Sequence, residues 1–193
     1  MPKITDEKRA ARKAQILEAA WTCFQKEGLH ATTMDDIIRA SGLSTGAVYS
    51  YFPSKTDLIL AAVTTTLSGL AARVAPLLEA EPALPPGELV RQIAQTVDRS
   101  AIHEGYDLRR IALLGWCEAQ RNDQLKATME TFYRDFRMAL AGAVARWNRT
   151  AGDSAKADAD ATAKALLSLI LGHVVQVALL GDVGPDDLAL AMA

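Results

Sequence analysis

Residues Thr33–Gly42 read TMDDIIRASG, and Ser44–Lys55 read STGAVYSYFPSK. Thr33 with Asp36 three residues later resembles a capping box, with Asp in place of the usual Glu, and predicts a helix over Thr33–Ser41. Ile37 and Ile38 give that helix its inward face. Gly42 supplies a turn, and Ser44 caps a third, short helix running to about Phe52, which Pro53 ends. Val48 and Phe52 are four apart and apolar, so they predict an anchor against Ile37 and Phe24. Thr45 with Tyr49, and Gly46 with Ser50, then lie toward the other face.

Working outward, Ile16, Leu17, Ala20 and Phe24 form an apolar stripe at helical spacing that stops at Gly28. On the other side, Ser54 and Asp57 repeat the capping pattern. They open a long helix whose stripe is Leu58, Ile59, Ala62, Val63, Leu67, Leu70 and Val74. The segment EPALPPGE, Glu81 to Glu88, reads as a linker. Amphipathic stretches follow near Leu89–Ser100, Leu108–Gln120 and Gln124–Asn148. The last carries Leu125, Met129, Phe132, Phe136, Leu140, Ala143 and Trp147 on one face. The polar, alanine-rich stretch Ala151–Ala161 precedes a strongly apolar segment, and Pro185–Met192 fits a short final helix with proline at its first position. No internal repeat is evident, and no strand pattern persists long enough to build a sheet.

Composition agrees with an all-α chain. Of 193 residues, 50% are apolar and 23% charged, ordinary for a globular protein and wrong for a disordered one. The net charge is −2, which argues against nonspecific nucleic-acid binding by the chain as a whole. Its distribution differs: Lys3, Lys8, Arg9, Arg12 and Lys13 stand against Asp6 and Glu7, a local balance of +3, while residues 61–193 carry 13 basic and 16 acidic side chains. A basic arm on an acidic chain can touch phosphate locally while the bulk stays soluble.

Cys23 and Cys117 match no metal or redox spacing, which points to a reducing cytoplasm. The polar N-terminal residues do not read as a secretory signal. Ala165 to Gly181 is a run of 17 residues without charge, near the length of a membrane span. Ser168, His173 and Gln176 interrupt it, acidic residues flank it, and no cationic anchor follows it. A helix buried between its own domain and a partner subunit is the expected reading, with no membrane.

Two helices joined by a short glycine turn form a helix-turn-helix, whose second helix enters the major groove of DNA. The hydroxyls, small backbone and phenol on the outer face can bond base edges or phosphates. Gly46 permits close approach at a helix N-terminus, where free N–H groups favour phosphate.

The stretch Gln15–Leu60, about a quarter of the chain, resembles the DNA-binding head of the TetR family of bacterial transcription regulators. The likeness rests on Phe24 with Gly28, Thr33 with Ile37, Gly42-Leu43-Ser44, Gly46-Ala47-Val48-Tyr49, Phe52, and Ser54-Lys55 with Asp57-Leu58. Ile38 stands where the family often has alanine.

The resemblance implies an all-α fold: a three-helix helix-turn-helix head at residues 1–53 and a helical effector-binding and dimerising body at residues 54–193. It implies that Tyr49, Lys55 and Thr33 contact phosphate. Thr45, Gly46 and Ser50 approach bases, with Ser44 capping the recognition helix and Tyr51 at its edge. Arg9, Arg12 or Lys13 reach the backbone near helix one. Thr33 and Ser44 also read as caps alone, Tyr51 as core and Lys55 as solvated. The body implies a homodimer through its last helices and a pocket for a small effector. Candidate lining residues are Trp116, Met129, Phe132, Phe136, His173 and Gln176. The last two are three apart and can satisfy each other or orient a bound molecule.

The expected function is a ligand-responsive repressor of a palindromic operator, cytoplasmic, with no cofactor, no metal and no catalysis. Three isolated histidines (His30, His103, His173) and no ligand cluster disfavour an enzyme. The alternative is a helical ligand-binding or thiol-sensing protein, through Cys117, without operator binding.

Overall fold

The computed structural model describes residues 5–103, 105–150 and 158–190. Lys3, residues 151–157 of the polar stretch, and the last three residues of the chain lie outside them. Nine helices run in order among the described residues: α1 Asp6–Ala31, α2 Met34–Ser41, α3 Thr45–Tyr51, α4 Lys55–Leu78, α5 Pro86–Ala101, α6 Leu108–Ala119, α7 Asp123–Thr150, α8 Ala159–Leu179 and α9 Pro185–Leu190. Among the described residues the fold is all-α apart from a two-stranded pairing of β1 Ile102–His103 and β2 Tyr106–Asp107. Strands of two residues leave no alternation to read, which is why the sequence does not announce them.

Local chemistry sets the helix ends. Thr33 caps α2 with both halves of the capping box, Ser44 caps α3, and Gly42 closes α2 with φ 66°, a left-handed conformation that glycine adopts without steric cost. Gly28 ends the regular run of the first helix as expected: its dihedrals (φ 80°, ψ 167°) are not helical, and one further turn follows the break to Ala31. Buried Leu29 and the Thr32 hydroxyl, which donates to the Gly28 carbonyl at 2.8 Å, hold that extra turn.

The described chain divides into two compact units. The first comprises, among the described residues, 5–66, 103 and 105–125. Its core is Ile16, Leu17, Ala20, Trp21 and Phe24 of α1, Ile37 of α2, Val48 of α3, Phe52, and Leu58, Ile59 and Ala62 of α4. Each fully buried side chain of this size contributes roughly 1.5–3 kcal/mol relative to exposure. This unit runs past residue 53, the expected limit of the head, because Leu58, Ile59 and Ala62 share its core. It also takes in α6. The Tyr106 ring packs tilted against Trp21 with centroids 5.4 Å apart and donates its hydroxyl to Glu18 at 2.8 Å, and the Asp107 N–H donates to Gln25.

Burial, then the bond to Glu18, push the Tyr106 phenol well above the usual tyrosine range. A folded-state value above the unfolded one gives stability that is complete below about pH 10 and lost as pH rises further. Tyr106 is therefore expected to ionise only as this unit unfolds. Absorbance titration in alkali should show a late, cooperative tyrosine phase that Tyr106→Phe removes. A Tyr106 that titrates in the folded protein would contradict the packing.

The second unit comprises, among the described residues, 67–102, 126–150 and 158–190. In it α5 packs against α8 and α9. Leu89, Val90, Ile93, Ala94 and Val97 of α5 meet a core that includes Leu166, Ile170 and Val174 of α8, and Leu188 of α9. Pro86 opens α5, with Glu88 in its first turn. Hydrogen bonds from Arg91 and then Gln92 lower the Glu88 carboxyl to about 2. Helices α4 and α8 are each long and apolar enough to cross a membrane by length and composition. Each also buries one stripe in the protein: Leu58, Ile59, Ala62 and Val74 on α4, and Ala163, Leu166, Ile170 and Val174 on α8.

Candidate nucleic-acid interface

Helix α3 divides its residues between two environments. Val48 is fully buried and Phe52 nearly so, while Thr45, Gly46, Tyr49 and Ser50 are exposed. Tyr49 is 41% exposed, one of the few large side chains with apolar surface left in solvent. A Cβ built on Gly46 would meet nothing within 4 Å, so the protein's own packing does not demand glycine there. The Ser50 hydroxyl donates to the Ala47 carbonyl at 2.6 Å, leaving its oxygen lone pairs as the outward function. Ser44 accepts from the Ala47 N–H at 3.3 Å, as a cap.

Thr33, Arg12, Arg9 and Lys55 are tied to the scaffold. Thr33 accepts from the Asp36 N–H at 3.2 Å, and its hydroxyl at 2.6 Å and then its backbone N–H at 2.9 Å donate to the Asp36 carboxylate, which lowers that carboxyl. Arg12 donates to Gln15, which donates in turn to the Ser41 carbonyl at 2.7 Å, so α1 is tied to the turn between α2 and α3. The Arg9 guanidinium lies 5.9 Å over the Tyr51 ring, within cation–π range. Arg9, Lys13, Tyr51, Pro53 and Asp57 line an open groove of about 580 Å³. Tyr51 is thus half-buried at a groove edge. Lys55 reaches back to the His30 carbonyl at 2.9 Å, a partner 25 residues away that spacing could not reveal.

The six body candidates fall on three helices, α6, α7 and α8. Trp116 belongs to the first compact unit and is half-buried there. Met129, Phe132 and Phe136 lie on α7, Met129 buried and the two rings stacked with centroids 6.1 Å apart. His173 is fully buried and Gln176 exposed, so their shared spacing does not give them a shared environment. The partner of His173 is Asp98 of α5: Nε2 lies 3.1 Å from both carboxylate oxygens, while Nδ1 has no hydrogen-bond partner among the described residues. Asp98 is 75 residues away and carries no sequence signal for this role. Cys117 is exposed and Cys23 half-buried, both free, and no cluster of metal-ligating side chains occurs among the described residues.

A helix pair of this geometry on a basic-armed head defines the helix-turn-helix class of DNA-binding proteins. The description "Bacterial regulatory proteins, tetR family" matches residues 16–62, and "BetI-type transcriptional repressor, C-terminal" matches residues 103–193. The chain belongs to the TetR family. It is 44% identical over 66 residues to the uncharacterized HTH-type transcriptional regulator YfiR of Bacillus subtilis, a match covering 34% of this chain and 32% of that one. It is 39% identical over 61 residues to the regulator TtgR of Pseudomonas putida, covering 32% and 29%. The matches thus span about a third of those relatives' length.

The fold extends further than sequence identity does. Salmonella enterica GusR superposes with a TM-score of 0.75 over 99% of this chain and 95% of its own, at 22% identity. A putative transcriptional regulator from Saccharomonospora viridis, in complex with choline, superposes with a TM-score of 0.72 over 95% and 94%, at 20% identity.

Proposed function

We propose that this chain is a cytoplasmic, ligand-responsive transcriptional repressor that binds a palindromic operator as a homodimer and is released by a small-molecule effector. The carrying observation is the division of α3. Its apolar residues are fully used in the head, while Thr45, Gly46, Tyr49 and Ser50 face solvent with hydrogen-bonding groups and bare backbone. Residues 1–53 would read DNA, and residues 54–193 would bind effector and dimerise. No cofactor, metal, membrane or catalytic step enters the reading.

The body supports the rest in outline. Helix α8 buries one stripe and leaves a second, Ala165, Leu169, Gly172, Gln176 and Leu179, at the spacing of a helix-packing seam. Leu179 is 68% exposed, and a Cβ on Gly172 would meet nothing within 4 Å. That stripe is the proposed dimer seam. The stacked Phe132 and Phe136, with Met129 on the same helix and His173 on α8, remain the proposed effector contacts. The choline complex of the Saccharomonospora viridis protein supports a small-molecule site in this fold. Release requires an effector that prefers a conformation in which the two recognition helices are no longer roughly 34–36 Å apart.

Selection of bound sequences from random duplex DNA tests the proposal. A palindrome with half-sites one helical turn apart is the expected product, and failure to enrich any sequence would overturn the reading. On the selected DNA, Tyr49→Ala and Lys55→Ala should weaken binding to all sequences alike, and Lys55→Ala, which removes a cation, should also reduce the salt slope by about 1. Thr45→Ala and Ser50→Ala should instead relax the preference at one base position by ~1–3 kcal/mol. If all four respond identically on matched and mismatched sites, the division of roles is wrong.

A further inference from the structure

Helix α8 carries a histidine into the core of the second compact unit, and only one side of its ring is engaged. The His173 side chain is fully buried, and its Nδ1 has no hydrogen-bond partner among the described residues. The other ring nitrogen, Nε2, lies 3.1 Å from both carboxylate oxygens of Asp98 on α5. One turn along each helix, the buried neighbours are Ile170 on α8 and Ala94 and Ala101 on α5, none with a polar side chain. The hydroxyls of α5 are used within that helix: Thr96 donates to the Gln92 carbonyl and Ser100 to the Thr96 carbonyl. An unpaired polar atom inside a protein costs free energy, and a polar partner removes that cost.

The pairing with Asp98 sets what the other side of the ring can do. A neutral imidazole has one N–H and one lone pair, and an ionised carboxylate only accepts. Asp98 therefore places the hydrogen on Nε2 and leaves Nδ1 an acceptor. A buried acceptor among apolar side chains selects a partner that brings a donor and rejects one that does not. The ring is closed over in this conformation, so a molecule that reaches Nδ1 binds a different one. Such a preference is what an effector needs in order to release DNA.

We infer that His173 is the polar anchor of the effector site, its Nδ1 accepting a hydrogen bond from an otherwise apolar molecule that carries a hydroxyl or N–H donor. Asp98 is the positioning residue that sets the tautomer and touches no ligand. The inference rests on the effector-binding reading above and adds to it the chemistry of the ligand. A molecule whose polar group is an ether or ketone oxygen alone is disfavoured, because lone pairs would face each other.

The test uses the full chain with isotope-labelled histidine at about pH 8, above the range in which imidazole gains its charge. The sequence has three histidines, His30, His103 and His173, so His173→Gln assigns the ring. Nitrogen chemical shifts should show Nε2 protonated and Nδ1 unprotonated in His173. Phenol and cyclohexanol are the donor probes, toluene and methylcyclohexane their counterparts in shape, and anisole the probe that only accepts. The donor probes should move the Nδ1 resonance. They should bind about ten- to hundredfold tighter than their counterparts, the scale of one buried acceptor left unpaired. Asp98→Asn should level the affinities for phenol and anisole, because an amide can accept from Nε2 or donate to it and so admits both tautomers. Melting of the variants separates loss of fold from loss of selectivity. If Asp98→Asn does not fold, the wild-type shifts and probe affinities carry the decision. A His173 ring protonated on Nδ1, an Nδ1 resonance that no probe moves, or equal affinity for phenol and toluene overturns the inference. Binding of the selected palindrome with the same probes separates this inference from the reading it rests on. Release of DNA by a probe that leaves Nδ1 unmoved keeps the effector reading and overturns this site. Movement of Nδ1 by the donor probes without release supports the site and overturns its link to DNA.

Discussion

Alanine at Phe24 is expected to lower the stability of the first compact unit by ~3–5 kcal/mol, the cost of removing a large aromatic side chain from a packed core. Phe24 is 1% exposed, and its unit buries Ile37 and Val48 completely, so the space it vacates has rigid walls. A domain is stable by only about 5–15 kcal/mol in total, so this single change should leave much of the head unfolded at moderate temperature. Melting followed by circular dichroism should shift by roughly 12 °C or more. Operator binding should fail with it, since the caps at Thr33 and Ser44 orient α3 only while the core holds α2 in place. Ile38→Ala is the matching control. Ile38 is half-buried on α2, and its truncation should cost about 1 kcal/mol or less, near the ordinary value for a point change. Equal melting shifts for the two variants would mean the core is not where the structure puts it.

Glutamate at both Leu169 and Leu179 is expected to convert the proposed dimer to monomer. These residues lie on the α8 stripe that the protein's own core does not use, so the substitutions should spare the fold of one protomer. Across a two-fold axis each change meets its own copy or its neighbour, placing like charges in an apolar seam. A penalty of about 3 kcal/mol or more is expected for uncompensated charge at an interface, at least a hundredfold in dissociation constant. The readout is mass by light scattering at micromolar concentration, beside affinity for one half-site and for the full palindrome. A monomer should keep its weak half-site binding and lose the gain from two linked sites. A doubly substituted protein that remains dimeric would place the interface elsewhere.

Much of the fold is legible in the chain because its signals are local. The stripe Ile16, Leu17, Ala20 and Phe24, the Thr33–Asp36 capping box, the turn at Gly42 and the stop at Pro53 each act within one or two helical turns. The structure places helices where those signals put them, to within a few residues. The exposed face of α3 was legible for the same reason: once Val48 and Phe52 are taken as anchors, helical geometry alone sends Thr45, Tyr49 and Ser50 the other way.

What tertiary structure alone decided are the pairings between distant residues. Spacing put His173 and Gln176 on one face, yet packing against α5 buries the first beside Asp98 and leaves the second in solvent. Trp116 lies on α6, which the bond of Tyr106 to Glu18 and the tilted contact of Tyr106 with Trp21 bring into the same compact unit as the helix-turn-helix. Lys55 read as a solvated or phosphate-bound cation, and the fold gives it the His30 carbonyl. Periodicity and capping are properties of a few consecutive residues and survive in any context. A hydrogen bond between residues 75 or 88 positions apart exists only after the core has brought two helices together. Hydrophobic burial, which is non-directional, selects that meeting and leaves no mark on the polar residues it aligns.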